Sequence, residues 1–183
     1  MQQSPHPDWE PITAYVSDLS YFSGKMEAYL RYKEIPFMRR VVDVTVMREE
    51  ILEATGLMKV PVLRLADGRW LKDTTPMIEW FESHYPAPPV IPKDPVLRFL
   101  SKLVEDYADE WCWRAALYWR WQPAESRKLL MRRIGNEVLD DCPAPISSGR
   151  SPSLYDRLSL AITISSIRAG SQSIEYIAAV PGR

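Results

Sequence analysis

The sequence predicts an α/β domain followed by an all-helical one, and three observations carry that reading. Between residues 12 and 85, short β-branched runs alternate with stretches of helical periodicity. An Asp67-Gly68 pair separates two of those runs, the pattern of a tight β-hairpin. Five prolines then crowd Pro86 to Pro95, and beyond them apolar residues recur at helical spacing over about 25 residues.

Ile12 to Ser17 is a β-branched run and reads as the first strand. After Ser23-Gly24, the stretch Lys25 to Lys33 holds helix formers, with Met26, Tyr29, Leu30 and Lys33 at three-to-four spacing. Ile35-Pro36 stops that helix, and Phe37 to Val46 supplies the second strand. Met47 to Ala54 is a short helix ended by Thr55-Gly56. Val60 to Leu65 and Arg69 to Lys72 are strands three and four. Thr75-Pro76 places an N-cap and a first-turn proline ahead of Met77, Ile78, Trp80 and Phe81, opening a helix to about His84. The order is β-α-β-α-β-β-α, a crossover unit completed by a hairpin.

Proline removes amide donors and bars helical geometry from the residue before it, so residues 86–95 read as a semi-rigid linker. The expected division is therefore 1–85 as the first domain, 86–95 as linker and 96–183 as an all-helical second domain. Val96, Leu100, Leu103, Tyr107, Trp111 and Tyr118 form a stripe interrupted by Arg114, and Leu129 to Leu139 repeats it more weakly. From about Pro143 onward the chain is serine-rich, without tryptophan or phenylalanine. It is expected to be the least ordered part, since it offers little apolar surface to offset ordering entropy.

Composition narrows the function. With 183 residues and 46% apolar content, there is material for a packed core. A net charge of -1 gives no electrostatic footprint for nucleic acid or for an anionic membrane surface. No apolar run approaches the roughly 18 residues of a membrane span. Residues 1–10 are polar and proline-broken and read as no signal peptide. The cysteines Cys112 and Cys142 are too few for a disulfide scaffold or a cysteine zinc site, which points to a reducing, cytoplasmic setting. His6 and His84 stand in no spacing for metal ligands or a nucleophile-base pair, and no phosphate-binding glycine loop occurs. Glu105-Asp106 and Asp109-Glu110 read as a solvated helix face.

Three local features remain. Ser20-Tyr21-Phe22-Ser23 lies at the junction of the first strand and helix, where unpaired amides favour an anion and a hydroxyl can donate to a thiolate. The plain alternative is that Ser23 caps the helix and Ser20 is a loop residue. Lys59-Val60-Pro61 puts a proline at the entrance of a buried strand. A cis Val60-Pro61 bond would turn the Val60 amide and carbonyl toward a ligand backbone; the alternative is a trans proline on an edge strand. Asp73-Thr74-Thr75-Pro76 is a second helix start. There Thr75 is the simple cap, while Thr74 and the helix amides suit a carboxylate and Asp73 suits an ammonium group.

Taken together, Ser20, the Val60-Pro61 step and Asp73-Thr74 in this frame resemble the glutathione-binding domain of the cytosolic glutathione transferases, serine-type and bacterial-like. Met26-Glu27-Ala28-Tyr29-Leu30, the Ile35-Pro36-Phe37 exit and the spacing from Ser20 to Ile35 are similar to that family's first helix and second strand. The resemblance implies a thioredoxin-like first domain and an all-α second domain. It also implies glutathione as co-substrate without a metal, and a thiolate conjugated to a small hydrophobic electrophile in detoxification. Ser20 would assist the thiol, with Tyr21 the next donor and then Tyr15. Lys59, Val60, Pro61, Asp73 and Thr74 would hold the tripeptide. A homodimer is the assembly the resemblance allows. Relatives of the glutaredoxin-like and omega-like kinds carry cysteine where this chain has Ser20, which disfavours thiol-disulfide exchange. Thr55-Gly56 replaces the asparagine-proline usual in the family before the Val-Pro step, and the region after the linker is shorter than in family members. Ser153-Leu154-Tyr155-Asp156 resembles the family's Ser-x-x-Asp box. The alternative function is a non-catalytic binding or scaffold protein that uses Trp111, Trp113, Trp119 and Trp121 as an interaction surface; the plain reading of those tryptophans is packing.

Overall fold

The structure is a computed structural model and describes residues 7–138. At its centre β1 (Ile12–Val16) pairs in parallel with β2 (Phe37–Val41) and antiparallel with β3 (Val62–Arg64), which pairs antiparallel with β4 (Trp70–Lys72). The strand order is β2-β1-β3-β4. Helix α1 (Tyr21–Tyr32) makes the crossover from β1 to β2. A helical stretch over 44–55 follows, built of α2 (Val44–Val46), a π-helical segment Met47–Leu52 and α3 (Glu53–Thr55), and α4 (Thr74–His84) closes the domain. This is the thioredoxin-like β-α-β-α-β-β-α arrangement expected from the sequence.

Strand periodicity assigns the two sheet faces. Ile12, Ala14 and Val16 of β1 pack with Met26, Tyr29 and Leu30 of α1, Leu63 and Leu65, and Met77 and Phe81 of α4. Tyr15 and Val62 point the other way, onto Val42 and onto Val46 and Ile51 of the 44–55 stretch. Both faces are thus covered at the central strands β1 and β3, while β2, at the edge of the sheet, is largely exposed. Each fully buried large apolar side chain here contributes about 1.5–3 kcal/mol.

The boundaries depart from the sequence reading where caps decide them. Ser20 caps α1, so the helix starts at Tyr21 and Gly24 lies inside it rather than ahead of it. Strand β2 stops at Val41 because Asp43 caps the next helix, its carboxylate accepting the Val46 N–H at 2.8 Å. Asp73, and not Thr75, caps α4. Gly56 ends the 44–55 stretch with φ +73°, and Gly68 turns the β3–β4 hairpin with φ +89°; both angles are ones side-chain-bearing residues avoid.

No helix or strand forms over 85–94. The linker is nonetheless fastened to this domain. The Lys33 ammonium, its side chain wholly buried, pairs with Glu82 Oε1 at 2.7 Å and donates to the Pro88 carbonyl at 2.7 Å. Glu82 also accepts the Tyr29 hydroxyl at 2.9 Å and the Val90 N–H at 3.0 Å.

The chain separates into two compact units, which among the described residues comprise 7–98 with 136–138, and 99–135. Helical structure over 95–121 consists of α5 (Pro95–Asp106), a π-helical segment Tyr107–Cys112 and α6 (Trp113–Trp121), and α7 (Ala124–Val138) follows. The long helix is as expected, but its stripe is not a core: Leu100, Leu103, Tyr107, Trp111 and Tyr118 are all exposed, and no residue of α5 is buried. Trp111 and Trp119 are exposed, while Trp113 and Trp121 are half-buried. Arg114 lies over the Trp111 ring and Arg120 over Trp113. The expectations for residues 143–183, including the Ser153–Asp156 box, lie outside the described residues.

Candidate functional site

The ladder register brings the three singled-out segments to one end of the sheet. Tyr15 pairs with Val62, and Val62 pairs with Lys72. Residues 17–20 leave β1 just beyond that line, residues 59–61 approach β3 from the same side, and Asp73-Thr74 leave β4 there too. Ser20, Tyr21, Lys59, Val60, Pro61, Asp73 and Thr74 therefore share one edge.

At the first segment the cap falls on a different serine from the one expected. Ser20, not Ser23, is the cap: its Oγ accepts the Ser23 N–H at 3.1 Å. Its hydroxyl proton donates to no group of the described chain and stays available to a ligand. Ser23 is fully buried, and its Oγ accepts the Ser17 N–H at 3.2 Å. Tyr21 opens α1, exposed, with its ring edge-on to Phe22. Tyr15 is buried on the opposite sheet face, where its hydroxyl donates to Glu50 at 2.9 Å; Arg40 donates to the same carboxylate at 2.8 Å.

At the second segment the Val60-Pro61 bond is cis, as anticipated. Pro61 is buried, Val60 half-buried and Lys59 exposed. The Val60 amide and carbonyl make no hydrogen bond within the described chain, so they are not committed to the sheet.

At the third, Asp73 has φ +71° and ψ 120°, a conformation costly for a residue with a side chain. Its carboxylate accepts the Thr75 N–H at 3.4 Å, and its carbonyl accepts the Met77 N–H at 3.0 Å. Thr74 is 95% buried, yet its N–H and hydroxyl find no partner among the described residues. Pro76 has no amide, so Thr74 carries the free donors of this helix start.

One residue near this edge had no counterpart in the sequence reading, and a second, Ser23, was read there only as a cap. Glu137 belongs to the same compact unit, and its Oε2 accepts the Asp18 N–H at 3.1 Å across 119 positions. Burial pushes its carboxyl above the usual range, against the opposing pull of the bonds from Ser17 and Asp18. No local pattern announces such a contact. Ser23 did leave a signal, since Ser23, Met26 and Leu30 fall on one helix face and all three are buried.

Comparison with known proteins finds similarity to one family over part of the chain. The N-terminal domain of the glutathione S-transferases, as a family model, matches residues 15–89. A probable cytosolic glutathione S-transferase of rice, Oryza sativa subsp. japonica, is 29% identical over 70 residues, 38% of this chain and 33% of the rice protein. A glutathione S-transferase of Methylobacterium radiotolerans, solved in complex with glutathione sulfonate, superposes with a TM-score of 0.53 at 22% identity, covering 67% of this chain and 61% of that one. The Tau class glutathione S-transferase of mango, Mangifera indica, gives 0.54 at 16% identity, covering 68% and 57%. These structural likenesses show the fold. The chain spans about a third of the length of the curated relative it matches.

Proposed function

We propose, from the match of residues 15–89 to the glutathione S-transferase N-terminal domain family, that this protein binds glutathione at the shared sheet edge and conjugates its thiolate to a small hydrophobic electrophile. One observation carries the reading. Three uncommitted sets of polar groups face one edge: the Ser20 hydroxyl proton, the Val60 main chain, and the Thr74 N–H and hydroxyl beside the Asp73 carboxylate. Those are the partners that an extended peptide with a thiol, two carboxylates and an ammonium group requires.

The tripeptide would run antiparallel to the Val60 backbone, past cis Pro61. Its γ-glutamyl carboxylate would meet Thr74 and the α4 amides, its ammonium Asp73, and a carboxylate the exposed Lys59. The thiol would lie at Ser20, with Tyr21 the alternative donor. The step is loss of the thiol proton to solvent, then attack of sulfur on an electrophilic carbon, with either departure of that carbon's leaving group or, at an activated double bond, uptake of a proton from solvent by the carbanion formed. The protein's contribution is to favour the thiolate. A depression of about two pKa units corresponds to about 2.7 kcal/mol, within reach of one charge-assisted hydrogen bond and the helix-start amides. The reading includes a cytoplasmic detoxifying enzyme acting as a homodimer.

A second reading keeps the glutathione site without turnover. It is favoured by the exposed Trp111 and Trp119, the former stacked under Arg114, which suit a binding surface. Calorimetry with glutathione, run beside conjugation of a chloronitrobenzene electrophile, separates the two. Ser20→Ala should raise the thiol pKa and slow conjugation at neutral pH with little change in affinity. Thr74→Ala should weaken affinity about tenfold with a smaller effect on that pKa. Binding without conjugation selects the second reading, and absence of binding refutes both.

A further inference from the structure

Ser23 has a hydroxyl that is entirely buried, yet it sits in the first turn of α1 next to the candidate thiol donor. Its bonds close on both ends of one loop. Its Oγ accepts the Ser17 N–H at 3.2 Å, and its N–H donates to Ser20 Oγ at 3.1 Å. Ser20 N–H donates to the Ser17 carbonyl at 3.1 Å, and Ser17 Oγ accepts the Leu19 N–H at 3.2 Å. The segment 17–20 is thus held at its start by the Ser23 side chain and at its end by the Ser23 main chain.

A capping hydroxyl has one remaining freedom, rotation about its Cβ–Oγ bond, and the backbone carrying it sets where its proton can reach. Displacing such a group by about an ångström costs much of its effect on a reacting atom. We propose that Ser23 is a positioning residue: its buried hydroxyl anchors the Ser17 amide and thereby aims the Ser20 hydroxyl at the thiol. The inference rests on the reading of Ser20 as thiol donor. Ser23 itself exposes no surface to a ligand, so it acts only through Ser20.

The test uses the full chain and two readouts at saturating glutathione. One is the ultraviolet absorbance of the bound thiolate against pH, and the other is the pH profile of conjugation. Ser20→Ala should raise the thiol pKa. Ser23→Ala should raise it in the same direction, lowering the rate at neutral pH about 3- to 10-fold with the glutathione KM within about twofold, and Ser23→Thr should restore the profile. Should the alanine chain not fold by circular dichroism, Ser23→Cys takes its place, since a thiol of similar volume is a poor acceptor. A shifted pKa in Ser20→Ala with an unshifted one in Ser23→Ala overturns the proposal. So does a Ser23→Ala loss that is equal at every pH, which marks a structural role alone. If Ser20→Ala itself leaves the pKa unmoved, or the parent binds no glutathione, the site reading beneath the inference fails, and the inference falls with it.

Discussion

Replacing Lys33 by methionine removes a cation and keeps nearly the same volume, which isolates the charge network that fastens the linker. The Lys33 side chain has no exposed surface, and that of Glu82 is 11% exposed, so solvent screens the pair weakly. Removing one partner of a buried pair costs about 3–5 kcal/mol, because it strands the other charge. Glu82 would keep its donors from Tyr29, Val90 and Ile91, which places the expected loss near the lower end, about 3 kcal/mol. The Pro88 carbonyl loses its donor in the same change.

Native-state hydrogen exchange at core amides such as Leu63 reads the opening of this unit by itself. A loss of about 3 kcal/mol there, with faster exchange at Val90 and Ile91, is the expected result. Glu82→Gln in the Lys33→Met background should add almost nothing, since the stranded charge is then gone. The pH dependence follows with the same sign. Burial alone would push the Glu82 carboxyl up, but the bonds from Lys33, Val90 and Tyr29 hold it below its ordinary 4.5. Its contribution is present above that value and lost as pH falls through the lowered one, and Lys33→Met should move this acid limb to higher pH. A cost below about 1 kcal/mol, as for an exposed pair, or full additivity in the double variant, would refute the account.

Gly24 lies exposed within α1, and the space an alanine methyl would take there is open, so Gly24→Ala should stabilise the unit by about 0.5–1 kcal/mol; a melting temperature that falls would place the helix start after it instead. Burial, and secondarily a bond to Glu82, raises the Tyr29 hydroxyl well above its ordinary 10.0, while burial and a bond to Glu10 push Tyr85 up to about 12. Both contributions are whole below about pH 10 and lost as pH rises through the raised values. Urea unfolding should therefore show a fall in stability above about pH 10 that Tyr29→Phe partly abolishes, and an identical fall in that variant would exclude Tyr29.

Much of the first domain was legible because its signals are local. β-branched runs, Asp67-Gly68, Gly56 and the proline cluster each act within a few residues, and each element they mark exists. The capping residues were less legible for a physical reason. Ser20 and Ser23, or Asp73 and Thr75, are equally good caps by chemistry, and the choice depends on where the preceding strand delivers the chain. At Asp73 that choice places a positive φ on a non-glycine residue and buries Thr74 behind it. Helical spacing put Lys33 in the buried stripe of α1, but not the ion pair that makes its burial tolerable, because Glu82 lies 49 positions away. The stripe from Val96 to Tyr118 fails the other way: periodicity reports that a helix has an apolar face, and says nothing about whether the described neighbours cover it.

The candidate site combines both situations. Its residue types were visible, since a hydroxyl at one helix start, an acid and a hydroxyl at another, and a proline before a strand are each readable singly. Their meeting was not, because it depends on the antiparallel register that sets Tyr15 against Val62 and Val62 against Lys72. Shifting β3 by one residue against β1 would turn Val62 onto the α1 face and Leu63 onto the opposite one, exchanging the two buried clusters' contributions from that strand. The packing that fixes this register, Val62 beneath the 44–55 helix and Leu63 beneath α1 and α4, therefore also fixes the distance between the Val60 main chain and the Ser20 hydroxyl. On that ground the core of this domain and the geometry of its candidate site are one specification, and a substitution that slipped β3 would remove both together.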